Sequence, residues 1–326
     1  MMDAMVCEQY GPVKNLKHRQ LTKPTPGPGE IRVRVSAVGV NFPDALLVQG
    51  LYQVKPELPF IPGIECAGTV DAVGERVSDF SPGDRVAAMS PRFGTYAAAV
   101  TVPASHAYPL PPTLEFAQAG ALLCAHGTAY HALVQRGALQ TGETLLVTGA
   151  AGGTGLAAVQ IGHALGARVI AACSTQEKMD TARQHGADVA INTSEDDIRE
   201  AVKSLTGGAG ADVIFDPVGG TLAGSLSRSL GWNGRWLIIG FADGEIPQLP
   251  LNLPLVKGYS VVGVFWGSFC ENEPAQAQAN HQQLFNMAAV GTVQPRLHAV
   301  MPLTQAANAL ETIQQRLVQG KIVLEP

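Results

Sequence analysis

Runs that alternate in period two fill the first third of the chain. EIRVRVSAV (30–38) puts Ile31, Val33 and Val35 on one face and Arg32 and Arg34 on the other, the pattern of a half-buried strand. ECAGTVDAVG (65–74) and DRVAAMS (84–90) read as further short strands, bounded by glycine and by the turn sequence SPGD. Pro and Gly cluster at 24–29, PTPGPG. These features predict an antiparallel, β-rich unit.

From about residue 123 the pattern changes. ETLLVTG, ARVIAAC, ADVAINT, ADVIFDPVGG and GRWLIIG are short apolar runs ending in small or turn residues, and helical patterns separate most of them. Strands covered by helices on both faces have this continuous apolar character. The β-α-β-α order predicts a doubly wound parallel sheet. YSVVGVFWGS (259–268) reads as one more strand, at the sheet edge. A long helix is expected near 274–290, then a strand at LHAVM, a helix capped by Thr304, and a closing GKIVLEP that returns to the first unit. The expected class is α/β, with a β-rich domain at 1–122, a doubly wound domain at 123–265 and a return at 266–326.

Composition narrows the function classes. The chain has 326 residues, 46% of them hydrophobic and 15% charged, and a formal net charge of −5. That is ample core for two domains. It excludes no fold, but an acidic chain without a Lys/Arg run predicts no nucleic-acid partner. The Gly-rich apolar stretch 145–173 is broken by Gln160, His163 and Arg168, so no membrane span is expected. The N-terminus MMDAMVCEQYGPV lacks a basic region followed by an apolar one and does not read as a secretory signal. Five scattered cysteines without C-x-x-C spacing fit a reduced, cytoplasmic setting.

The strongest local signal is GAAGGTG (149–155), after a strand and before a helix. Against the pattern G-x-G-x-x-G, Ala150 takes the first place, Gly152 the second and Gly155 the third. Gly152 admits a close pyrophosphate, Gly155 admits close packing of helix on sheet, and the helix N-terminus, with Gly153 and Thr154, offers N–H groups to an anion. In NAD sites an acid about 20 residues on binds the ribose 2′-hydroxyl. Here that place reads Cys173-Ser174, followed by Thr175 and, one turn on, Lys178. This set would accept a 2′-phosphate, so NADPH is the expected cofactor. Ser174 also reads as a helix N-cap, with Glu177 completing a capping box. Both readings are compatible, since a helix N-terminus attracts anions.

These residues, with GVNFPDALLVQGLY (39–52), PFIPGIECAGTVDAVG (59–74), GTAYHAL (127–133) and GKIVLEP, resemble the zinc-independent quinone oxidoreductases of the medium-chain dehydrogenase/reductase superfamily over essentially the whole length. The resemblance implies a GroES-like catalytic domain interrupted by a Rossmann domain, an active site in the cleft between them, and NADPH-dependent reduction of quinones or α,β-unsaturated carbonyl compounds. Zinc-dependent relatives carry an early Cys, a His before Glu in GHE, and a Cys ahead of the Rossmann domain. Here GVNFPD has no Cys, Ile64 precedes Glu65, and Cys124 alone survives. A catalytic zinc needs three protein ligands, so no metal is expected.

The resemblance places Asn41 and Tyr52 beside the nicotinamide as candidate catalytic groups, with Tyr52 donating a hydrogen bond or proton to substrate oxygen. A cleft-shaping aromatic is the alternative for Tyr52, and a turn residue for Asn41. Asp44 reads as a cap or structural residue. Thr128, Phe241, Phe265 and Lys321 are further candidates for cofactor contact, Lys321 reaching a phosphate or lying in solvent. Phe241, Phe265 and Trp266 either line a flat slot or simply pack. His126 and His131 read as structural. Thr193 stands where NADPH-binding members often carry Tyr, which leaves the adenine contact open. A homodimer paired along the 259–268 edge is expected. The alternatives to a quinone or enone reductase are an enoyl-thioester reductase and a dinucleotide-binding redox sensor without turnover.

Overall fold

The computed structural model describes all 326 residues. The chain begins with strands β1 (Met2–Val6), β2 (Lys17–Leu21) and β3 (Glu30–Val40), then helix α1 (Phe42–Gln49). Strands β4 (Glu65–Val73), β5 (Arg85–Met89), β6 (Ala99–Pro103) and β7 (Ala107–Pro109) follow, with helices α2 (Phe116–Gly120) and α3 (Leu123–Tyr130). The middle of the chain alternates β8 (Thr144–Thr148), α4 (Gly153–Ala164), β9 (Arg168–Cys173), α5 (Gln176–Gln184), β10 (Val189–Asn192), α6 (Ile198–Leu205), β11 (Ala211–Asp216), α7 (Ala223–Ser229) and β12 (Leu230–Ile238). Next come α8 (Asn252–Lys257), β13 (Ser260–Gly263), α9 (Trp266–Asn272) and α10 (Pro274–Ala289). Finally β14 (Leu297–Pro302), α11 (Ala306–Gln314) and β15 (Lys321–Glu325) close the chain.

Two compact units result, one of residues 1–125, 281–289 and 295–326, the other of 126–280 and 290–294. The first junction lies three residues from the expected one. The return to the first unit starts at 281, against the expected 266, because α9 and the first part of α10 group with the second unit.

In the first unit the sheet order is β14-β15-β3-β4-β5-β7, with β6 also on β3. The alternation in β3 works as expected: Ile31, Val33 and Val35 are buried, while Arg32 pairs with Asp71 on the neighbouring strand at 2.7 Å. Eleven residues let β3 serve two partners along one edge while β4 pairs with the other. Its start pairs with β6, Glu30 against Pro103, and its end pairs with β15, Val40 against Ile322. The last strand of the chain thus completes a sheet begun near its start.

The second unit is a six-stranded parallel sheet in the order β10-β9-β8-β11-β12-β13. Leu146, Ile170, Ile214 and Trp236 from its strands are buried against Val202 and Leu226 from α6 and α7. The order reverses at β8 and β11, so the carboxyl ends of these strands flank the switch point where α/β sheets bind ligands. The expected strand over 259–268 is corrected to four residues, Ser260–Gly263. Helix α9 starts at Trp266, whose ring packs where a Cβ on Gly127 would come within 2.9 Å. The other expected start is also shifted: a 3-10 turn spans Leu303–Gln305, so α11 begins after Gln305 and Thr304 is not its cap. No helix is long and apolar enough to cross a membrane.

Candidate active site

Asn41 ends β3 and opens α1 with an extended backbone, and Pro43 in the next turn fits the helix start. The Asp44 carboxylate accepts the Asn41 N–H at 2.8 Å and the Tyr96 hydroxyl at 3.0 Å. Asp44 is buried, and that burial pushes its carboxyl up to about 7, against the pull of the two donors and the Lys321 charge.

Glu65 at the start of β4 is fully buried and joins three segments far apart in sequence. Its Oε1 accepts Asn41 Nδ2 at 2.8 Å and Lys321 Nζ at 3.0 Å, and its Oε2 accepts the Cys124 N–H at 2.8 Å. Lys321 also donates to Val40 O at 2.8 Å and Asn41 Oδ1 at 2.6 Å. An ammonium has three donors. All three are used inside this buried network, so the expectation that Lys321 reaches a cofactor phosphate or lies in solvent is corrected. Buried charge has to be paired and hydrogen-bonded, and here it is.

Asn41 needs a second correction of detail. Its Nδ2 gives one N–H to Glu65 and the other to Gly39 O at 3.3 Å, and its Oδ1 takes Lys321. In this arrangement it has no N–H for a substrate. Tyr52 is different. It is half-buried, and burial, then the nearby Cys124 and Asp44, raise its hydroxyl above the usual tyrosine range. It therefore stays protonated and can donate a hydrogen bond.

In the second unit β8 feeds the glycine turn and α4 starts after Gly152. The left-handed residue is Gly149, φ +56°, one before the place assigned to Ala150. A Cβ on Gly155 would lie 2.2 Å from Gly149 O, so only glycine lets the helix come this close to the strand end. Gly152, Gly153 and Thr154 are half-buried at the helix start. At the end of β9, Cys173 is buried, and burial pushes its thiol up to about 11, which keeps it neutral. Ser174 is exposed and accepts a hydrogen bond from Lys178 Nζ at 3.4 Å. The cap of α5 is Thr175, which accepts the Lys178 N–H, and not Ser174, so Ser174 and Glu177 form no capping box. Ser174 and Lys178 thus stand together without an acid at Cys173, a fit for a 2′-phosphate. Thr193 is used otherwise, its N–H and hydroxyl both donating to Cys173 O.

Thr128 is half-buried on α3. Phe241 and Phe265 are exposed, while Trp266 is buried packing. His126 meets Gln160 at 3.2 Å, and His131 bonds Gln135 and stacks on Phe269 at 3.8 Å between centroids. Glu65 was given no role by the sequence reading, and two further residues were missed. Tyr96 is one. Asp216 is the other: buried at the end of β11, it accepts Thr148 Oγ1 at 2.6 Å, Trp236 Nε1 at 3.2 Å and the N–H groups of Val218 and Gly219, and so fixes the loop at the sheet's switch point. Aspartate before Pro217 and the glycines was the available signal.

Residues 27–112 match the alcohol dehydrogenase GroES-like domain, and residues 153–282 match the zinc-binding dehydrogenase domain. Together these define the medium-chain dehydrogenase/reductase architecture. The chain is 38% identical over 323 residues to quinone oxidoreductase-like protein 2 homolog of Nematostella vectensis, covering 98% of this chain and 88% of that one. The quinone oxidoreductase of Pseudomonas syringae pv. Tomato superposes with a TM-score of 0.94 at 31% identity, over the full length of both chains. The Escherichia coli quinone oxidoreductase complexed with NADPH gives 0.91 at 29% identity, covering 100% and 99%. The chain belongs to the quinone oxidoreductase-like family of the medium-chain dehydrogenases/reductases.

Proposed function

We propose that the protein is an NADPH-dependent reductase of quinones or α,β-unsaturated carbonyl compounds that works without zinc. The observation that carries the cofactor choice is the Ser174–Lys178 pair beside a neutral, buried Cys173. Relatives named as quinone oxidoreductases, one of them complexed with NADPH, support the substrate class. NADPH, when bound, supplies the hydride. Gly152, Gly153, Thr154 and Gly155 hold its pyrophosphate at the α4 N-terminus, and Ser174, Thr175 and Lys178 take its 2′-phosphate. Thr128, Phe241 and Phe265 are proposed to contact the rest of it.

Tyr52 donates a hydrogen bond to the substrate oxygen as negative charge develops there. Its raised pKa makes it a donor that keeps its proton, so water delivers the proton that completes the product. Asn41 acts through position: held by Glu65, Lys321 and Asp44, it fixes the turn between β3 and α1. Zinc independence is supported by the same network, because Ile64 cannot ligate, Glu65 is taken by Lys321, and no cluster of three His, Cys, Asp or Glu could hold a metal.

A homodimer paired along β13 is part of the proposal; the terminal place of this strand in the sheet, with Ser260, Val261 and Gly263 exposed, supports it, and its length of only four residues does not. The five free cysteines support a reduced, cytoplasmic setting.

NADPH oxidation with quinones, enones and acyl-CoA esters, before and after Tyr52→Phe, tests the reading. A quinone leaves an anion stabilised by its own ring, whereas an enone leaves an enolate that needs the donor. Tyr52→Phe should lower kcat/KM for an enone by roughly 10²-fold and leave a quinone within a few-fold. Turnover of acyl-CoA esters alone assigns a thioester reductase. No turnover of any of the three leaves a dinucleotide-binding sensor and refutes the proposal.

A further inference from the structure

Parallel strands put all their starts at one end of the sheet, so the starts of β11 and β12 lie at the end opposite the glycine turn. One strand length, roughly 17 Å, separates the two ends. A cavity of about 290 Å³ opens there, lined by Gly208, Gly210 and Gly231 and by four cations, Arg199, Lys203, Arg228 and Lys257. No carboxylate lines it. The nearest acid in the ion pairs is Glu200, 3.8 Å from Lys203 with both side chains largely in water, which neutralises little.

Two of the four charges, Lys257 and Arg228, are held by hydrogen bonds to the backbone. Lys257 donates to Arg228 O at 2.6 Å and Leu230 O at 2.7 Å, which leaves one of its three protons for another acceptor. Arg228 is tied to Gly224 O at 2.9 Å. Arg199 and Lys203 stand four residues apart on α6, where like charges disfavour a helix. Burial and the charge of Arg199 both lower the Lys257 pKa, as expected for cations crowded without a counter-ion. Trp232 also lines the cavity and is 73% exposed. The site therefore combines concentrated positive charge with a free aromatic face. Its volume sits at the small end of ligand pockets, roughly 300–1,000 Å³, which suits a phosphate with one ring system and not a dinucleotide.

We propose that this cavity is a second binding site, distinct from the glycine turn, for a phosphorylated small molecule of the mononucleotide class, its phosphate among Arg199, Lys203, Arg228 and Lys257 and its base on Trp232. The inference is independent of which substrate the protein reduces.

Calorimetric titration of 5′-AMP into the full chain, with NADP⁺ in large excess to occupy the glycine turn, tests it. Adenosine and inorganic phosphate serve as comparison probes. One AMP should bind per chain, more weakly as salt rises. The double variant Arg199→Ser/Lys203→Ser, at two exposed positions, should weaken AMP at least tenfold. Trp232→Ala should weaken AMP several-fold and leave phosphate unchanged. Unaltered circular dichroism and unaltered NADPH affinity show that the variants are folded. Absence of AMP binding under excess NADP⁺, an unchanged affinity in the double variant, or phosphate binding as tightly as AMP each overturns the proposal.

Discussion

Lys321→Met removes the ammonium from a site that is 4% exposed at Lys321 and closed at Glu65. Methionine keeps most of the side-chain volume, so the loss is electrical. Glu65 then holds a buried negative charge with only the Asn41 and Cys124 N–H donors, and Val40 O and Asn41 Oδ1 lose their partner. Breaking a buried pair from one side costs ~3–5 kcal/mol. At about 2–4 °C per kcal/mol for a domain of 150–250 residues, that is roughly 6–20 °C in Tm. Glu65→Gln alone strands the ammonium and should cost a similar amount. The double variant removes both members of the ion pair and leaves only imperfectly paired neutral groups, the Cys124 N–H, Val40 O and the Asn41 carbonyl. It should therefore be more stable than the sum of the singles implies, by about 2–3 kcal/mol. Differential scanning calorimetry on all four proteins is the assay, because a chain of two units can unfold in more than one step. A Tm for Lys321→Met within 2 °C of the parent, or strict additivity, refutes the argument. So does weaker NADPH binding at unchanged Tm, which would return Lys321 to a phosphate.

The carboxyl of Asp44, raised to about 7 among Asn41, Tyr96, Lys321 and Glu65, favours the folded state while protonated. That stability is complete below the unfolded pKa near 3.9 and is lost as pH rises through about 7. Tm of the parent should therefore fall between about pH 4 and 7, and Asp44→Asn should flatten the slope; parallel slopes would contradict this. Ser174→Asp brings a carboxylate to the exposed end of β9 beside Lys178 and should shift the NADPH-to-NADH affinity ratio at least tenfold toward NADH, read by fluorescence titration. An unchanged ratio would remove Ser174 from the cofactor site.

The legible parts of the molecule were those set by neighbours in sequence. The alternation in 30–38, the apolar runs from 144 and the close approach at Gly155 all follow from local periodicity and backbone sterics. The network around Glu65 was illegible because its members meet only through the sheet: Lys321 and Glu65 lie 256 residues apart. Nothing near GKIVLEP says that its lysine faces inward. The α5 cap was misplaced on Ser174 for a different reason: Thr175 beside it is an equally good cap residue, and the register of the strand end decides between them. At 259–268 the aromatic and β-branched run favours a strand, but packing of Trp266 at Gly127 turns the chain into α9.

That β15 completes the sheet of the first unit ties the site to the timetable of synthesis. Ribosomes add ~5–20 residues per second, so Glu65 waits roughly 13–50 s for Lys321 to be made, given their separation of 256 residues. During that interval the end of β3 is an open edge and the Glu65 carboxylate has no cation. The second unit, whose strands are contiguous from β8 to β13, has everything it needs to fold first. A nascent chain can therefore acquire its dinucleotide turn well before the Asn41 loop is locked. A chain released before residue 321 would carry the turn without the lock, and would expose the β3 edge to whatever strand came next.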